Sequence, residues 1–213
     1  MDFENLIQVA GNEPLFDTGF LLAGEADLND VRRQLSRWVK AGKIYQLRRG
    51  LYALAPPYQK VKPHPFVIAN RMVRGSYVSV QSALAYYGLI PEYTPVTTSV
   101  TTRRPAHWQT PLGVFVFRHL KPELLYGYKM TDLGNDQQAF VASPAKALLD
   151  LIHLQPGGDL PDYLRELRLQ NLERLNMLEL EKLADQSGLP KWKRAAGVII
   201  ELAQAEAQEY KAL

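Results

Sequence analysis

The stretch that decides the fold is V-R-R-Q-L-S-R-W-V-K-A-G-K-I-Y-Q-L-R-R-G-L-Y-A-L, residues 31–54. Val31, Leu35, Trp38 and Val39 recur at the spacing of one helical face, and Gly42 stands where a helix would close. Asn29 is placed to cap the start of that helix. The opposite face gathers Asn29, Arg33, Ser36, Arg37 and Lys40, with Arg32 on its flank. These residue types read base edges or grip phosphates, and a helix is narrow enough for a major groove. A basic hairpin begins at once with Lys43. Ile44–Leu47 and Leu51–Leu54 are strand-like, and Arg48, Arg49 and Gly50 form the turn, with glycine supplying a positive φ.

Upstream, Asp2 can cap a short helix through Val9 that Gly11 ends, and a second helix is expected from Leu15 to Ala23, stopped by Gly24. Helix, helix, basic helix and basic wing, in that order, is the winged helix-turn-helix arrangement. Either basic element alone reads most simply as solvated surface. Together they lie within Val31 to Pro91, a span that holds eleven bases and no acid.

The formal net charge of +3 hides this block. Residues 1–30 hold seven acids and no lysine or arginine, residues 31–122 hold fifteen bases and one acid, and residues 123–213 hold ten bases and fourteen acids. The segments therefore carry −7, +14 and −4. A concentrated basic block is the footprint of a polyanion-binding surface. If about six of its bases neutralise phosphates, affinity should fall on the order of 10³-fold between about 50 and 200 mM salt.

With 213 residues, 46% of them hydrophobic, the chain is long enough to bury a core in one domain or two small ones. The absence of cysteine excludes disulfides, thiolate zinc sites and cysteine nucleophiles. No apolar run reaches the roughly 18 residues of a membrane helix. The opening Met-Asp-Phe-Glu lacks the basic region of a signal peptide, so the expected location is cytoplasmic.

Beyond the wing, Pro56, Pro57, Pro63 and Pro65 suggest a stiff linker. Val67–Val73 is expected to be helical, and Ser79 to cap a helix that runs through Tyr87 and ends at Gly88. Val96–Thr102 and Gly113–Arg118 read as strands, with Arg103–Pro111 the loop between them. Shorter strands are expected at Tyr128–Thr131 and Ala139–Ala142. Ser143 and Pro144 open a helix to about Leu154, and after Pro156-Gly157-Gly158 everything reads as helical, with an Asn176/Glu179 capping pair, a stop at Gly188 and a last helix from Lys191. The expected fold class is α+β: a winged helix-turn-helix domain over 1–58, then a C-terminal α+β domain over 59–213, mixed over 59–155 and helical over 156–213.

Four segments in order carry a resemblance: residues 31–54 quoted above, YVSVQSALAYYGLI (77–90), RHLKPELLYGY (118–128) and ASPAKALLDLIHL (142–154). Over about residues 15–155 the chain resembles AbiEi-type antitoxins of bacterial type IV toxin–antitoxin systems. The resemblance implies a winged N-terminal domain that binds inverted repeats in its own promoter and represses the operon, and a remainder that counteracts a nucleotidyltransferase-like toxin. Carried onto this chain, the DNA-reading positions are Arg32, Arg33, Ser36, Arg37 and Lys40, with Lys43, Arg48 and Arg49 in the wing. Arg33→Ala should relax sequence discrimination, and Arg48→Ala should weaken binding to all sequences alike. The alternative is a stand-alone winged-helix regulator whose C-terminal part senses a ligand or partner.

Enzyme readings are weaker. Ser143-Pro144-Ala145-Lys146 matches S-x-x-K, but the companion motifs are absent and a helix cap explains the same residues. Asp162 and Glu209, as nuclease carboxylates, lie 47 positions apart on helical patterns. His64, His107, His119 and His153 share no metal-ligand spacing. The expectation is a non-enzyme with no cofactor and no metal. Tyr86 and Tyr87 read as packing residues, Arg103 and Arg104 as a solvated loop or a second phosphate contact, and the leucines between Leu164 and Leu183 as core, with a dimer or toxin contact the alternative.

Overall fold

The structure, a computed structural model, describes residues 2–21, 27–91 and 95–211, with side chains as far as Ala205. It begins with α1 (Phe3–Ala10), capped by the Asp2 carboxylate, which accepts from the Asn5 amide at 2.8 Å. The stretch expected to be a second helix divides. Phe16 and Asp17 form β1 and, among the described residues of the stretch, Thr18–Leu21 is helical, as α2. The extended start is imposed from outside the segment, because Phe16 and Asp17 pair with Tyr52 and Leu51 of the wing. The expected end at Ala23 and Gly24 lies outside the described residues.

The decisive helix is α3 (Leu28–Lys40), with Val31, Leu35 and Trp38 buried. Its cap is Asp27 and not Asn29: the Asp27 carboxylate accepts from the amides of Asn29 at 2.8 Å and Asp30 at 3.1 Å, which places Asn29 in the first turn. Gly42 closes the helix at φ +68°, its amide bonded to the Val39 carbonyl at 3.0 Å. β2 (Ile44–Arg48) and β3 (Leu51–Leu54) follow as an antiparallel hairpin, giving a three-stranded sheet in the order β1-β3-β2. All of β3 is buried. Tyr52 and Leu54 face a small core with Leu6, Phe16, Val31, Leu35 and Trp38, whereas Leu51 and Ala53 belong to the larger core of the rest of the chain. The wing is thus packed on both faces.

The proline-rich stretch after the wing is strapped down by side chains. Gln59 donates to the Leu54 carbonyl at 3.1 Å, while Gln137 accepts from the His64 amide at 2.7 Å and donates to the Lys62 carbonyl at 3.0 Å. Then come α4 (Pro65–Met72), β4 (Ser76–Val78), α5 (Val80–Tyr86), β5 (Val96–Thr101), β6 (Ala106–Thr110), β7 (Gly113–His119), β8 (Tyr128–Asp132) and β9 (Gln138–Ala142). The strands form a six-stranded sheet ordered β6-β7-β5-β4-β9-β8. The expected Arg103–Pro111 loop therefore contains a strand. β6 is an edge whose half-buried Ala106, Trp108 and Thr110 alternate with exposed His107 and Gln109, and Trp108 packs edge-on against Phe117.

The chain ends with α6 (Pro144–Leu154), α7 (Pro161–Glu166), α8 (Met177–Ser187) and α9 (Pro190–Lys211). The helical expectation after Pro156 fails at Leu167–Asn171, where the Gln170 amide bonds to the Leu89 carbonyl at 2.9 Å and the Asn171 side chain to the Gly88 carbonyl at 2.6 Å. These bonds take the segment away from a helix and pin it to the end of α5. Asn176 and Gly188 act as expected, as cap and stop. Leu164, Leu172, Leu175, Leu180 and Leu183 are core residues, and Leu178 is exposed.

Two of the compared segments meet in the larger core. The buried Asp150 carboxylate on α6 accepts from Tyr77 at 2.9 Å, from Ser79 at 2.7 Å and from the buried Lys146 ammonium. Lys146 also faces the rings of Trp192, Tyr126 and Tyr77 at 5.0, 5.4 and 5.7 Å. Its partner is Asp150 and not the Ser143 hydroxyl, which accepts from the Lys146 backbone amide at 3.2 Å as a helix cap. Ser79 stands at the expected cap position of α5 but gives its hydroxyl to Asp150 and makes no side-chain cap bond. Val80 beside it has φ +57°, a strained conformation for a β-branched residue. Among the described residues, no helix is long and apolar enough to cross a membrane.

Candidate nucleic-acid interface

The burial of Val31, Leu35 and Trp38 fixes the rotation of α3 and turns Arg32, Arg33, Ser36, Arg37 and Lys40 to solvent. The hairpin is set against it by register: Ile44 pairs with Leu54, Tyr45 with Ala53, Gln46 with Tyr52 and Arg48 with Leu51, leaving Leu47 as a bulge buried in the larger core. A bulge sharpens local twist, and here it precedes the turn. Gly50, at φ +82°, accepts from the Thr18 amide at 3.1 Å, which ties the turn to α2.

An open groove of about 690 Å³ lies between helix and wing, lined by Thr18, Leu28, Arg32, Ser36, Val39, Lys40, Gln46, Arg49, Gly50 and Tyr52. Among the described residues its lining holds three cations and no acid. Arg32, Ser36 and Lys40 are one turn apart on α3 and look across at Arg49, so helix and hairpin present donors to a common space. Such a surface matches an anionic ligand with polar edges, as a duplex groove is.

Residues 7–55 match the family model described as transcriptional regulator, AbiEi antitoxin. Those residues are similar to an AbiEi-type domain. The match begins within α1 and runs to the end of β3, so it takes in the whole of α3, the hairpin and the groove between them. No match is found among the curated proteins.

Of the eight positions expected from the sequence, the fold brings four, Arg32, Ser36, Lys40 and Arg49, into the groove. Arg33 and Arg37 are exposed on α3 outside it, and Arg33 pairs with Asp30 on the surface. Arg48 is exposed at the end of β2. Lys43 is half-buried, its ammonium 4.5 Å from the centre of the Phe3 ring, so it links the end of α3 to α1. Sequence reasoning missed Thr18, Gln46 and Tyr52 in the groove. Gln46 had no signal, since it stands two residues from buried Ile44 and strand alternation would place both on one face. Thr18 had none, because its position depends on the pairing of β1 with β3.

Proposed function

We propose that this chain is a DNA-binding antitoxin that represses its own operon and counteracts a nucleotidyltransferase-like toxin of a type IV system. On this reading it is a cytoplasmic non-enzyme, with residues 1–58 the DNA-binding domain and residues 59–213 the part that acts against the toxin. The observation that carries the proposal is the coincidence of the AbiEi match with the groove between α3 and the wing, lined by Arg32, Lys40 and Arg49. Arg32, Arg33, Ser36 and Arg37 would read base edges. Lys40, Lys43, Arg48 and Arg49 would hold phosphates, with Lys43 doing so from its seat against Phe3. The DNA would be the inverted repeats of its own promoter.

The test is binding of the full chain to duplex from its own upstream region and to a scrambled duplex of equal composition, at about 0.15 M salt. The upstream duplex should bind more tightly; equal affinity overturns the repressor reading. Arg32→Ala and Arg33→Ala should narrow the gap between the two duplexes, while Arg48→Ala should weaken both alike. For the antitoxin half, co-expression with a neighbouring nucleotidyltransferase-like gene should relieve its toxicity; undiminished toxicity overturns it.

A further inference from the structure

The basic block extends past the residues that match the AbiEi model. Arg71, Arg74, Arg103, Arg104, Arg118 and Lys121 all lie beyond the proline-rich strap. The topology gathers most of them at one end of the six-stranded sheet. Arg71 is in the last turn of α4, and Arg74 lies in the turn before β4. Ser76 at the start of β4 pairs with Thr101 at the end of β5, so Arg103 and Arg104 emerge beside Arg74. β7 runs parallel to β5 with His119 opposite Thr101, and His119 Nδ1 lies 3.2 Å from the Arg103 carbonyl.

This end of the sheet abuts the wing. Asp17 Oδ2 lies 3.6 Å from an Arg71 guanidinium nitrogen and 3.7 Å from one of Arg74, and the next residue, Thr18, lines the DNA groove. Both separations exceed hydrogen-bond length, and the Arg74 side chain is 76% exposed, so the arginines are held near the wing without being consumed by the carboxylate. Arg103 and Arg104 are exposed as well. Of the other described acids, Glu123 follows β7 four residues past His119, and Asp132 and Asp136 belong to the β8–β9 turn, beyond β9 on the far side of β4.

We propose that Arg71, Arg74, Arg103 and Arg104 form a second DNA-contacting surface, which grips the phosphate backbone flanking the segment read by α3 and the wing. The proposal rests on the DNA-binding reading above. A duplex carries one negative charge per roughly 1.7 Å of its axis. One that leaves the groove past Arg49 and Thr18 therefore passes this rim within a few phosphates. Exposed guanidiniums suit such contacts, which carry no sequence choice and fix the duplex's direction across the protein.

The experiment compares the full-length chain with R74A/R103A/R104A, whose altered side chains are all exposed, on two duplexes from its own upstream region. One is long; the other is trimmed to the bases protected by α3 and the wing. The triple variant should bind the long duplex roughly tenfold more weakly at about 0.15 M salt, with its salt dependence shallower by two to three contacts, and should bind the trimmed duplex as the parent does. An unchanged salt slope on the long duplex, or equal weakening on both, overturns the proposal and leaves the groove reading intact. Failure of the parent chain to bind either duplex overturns both.

Discussion

Asp150 shows how much one residue can depend on sequence-distant partners. Its carboxylate collects Lys146 from one helical turn away, and Tyr77 and Ser79 from over seventy residues upstream. Burial pushes the Asp150 carboxyl up and the Lys146 ammonium down, and the three donors at Asp150 oppose that drift. Removing one partner of a buried pair strands the other charge. Asp150→Ala should therefore lower stability by about 3–5 kcal/mol, whereas Lys146→Met combined with Asp150→Leu should recover most of it. Urea unfolding of the two variants decides the matter: equal losses would show that packing and not charge holds this site. The Ser143 cap and the Lys146/Asp150 spacing are visible in the sequence; the arrival of Tyr77 and Ser79 is not, because it depends on β4 pairing with β9, the strand that leads into α6.

At the scale of elements, α3 and its hairpin were legible because their signals are local: apolar spacing, glycines at the two positive-φ turns, and bases on the opposite face. β1 and β6 were not, since each is a short strand fixed by a partner elsewhere, Leu51–Tyr52 for one and β7 for the other. The cap of α4 is local and has a consequence for pH. His64 Nδ1 accepts from the Phe66 amide at 3.1 Å, a role only the unprotonated ring can fill, and burial lowers its pKa below the usual 6.5. A proton thus binds more readily to the unfolded chain. The cap's contribution is complete above about pH 6.5 and is lost as pH falls through the lowered folded value. Burial lowers His153 in the same direction. The melting temperature should accordingly drop between about pH 7 and pH 5, and His64→Asn, which keeps a capping acceptor without a titrating ring, should flatten part of that drop. A drop of the same size in His64→Asn would remove His64 from the account.

Across the whole molecule, the three charge segments have distinct structural meanings. Asp2, Asp17 and Asp27 of the acidic first thirty residues each accept a backbone amide at the start of a helix, and Asp30 pairs with Arg33 in the first turn of α3, so these four acids serve helix starts. Of the following bases, Arg32, Lys40 and Arg49 line the groove and Arg71, Arg74, Arg103 and Arg104 lie at the sheet end, and Asp17 stands where the two meet. One of its oxygens accepts from the Phe20 amide at 2.9 Å, and the other faces Arg71 and Arg74. Asp17→Asn keeps an acceptor for α2 and removes the negative charge. If a duplex crosses both surfaces, this variant should bind DNA several-fold more tightly at low salt, with the melting temperature unchanged. The gain should vanish toward 1 M salt, where charges are screened beyond about 3 Å. Titrations at several salt concentrations measure it. Unchanged affinity at low salt would place Asp17 outside the field of the duplex, and with it the continuity of the two basic surfaces would fall.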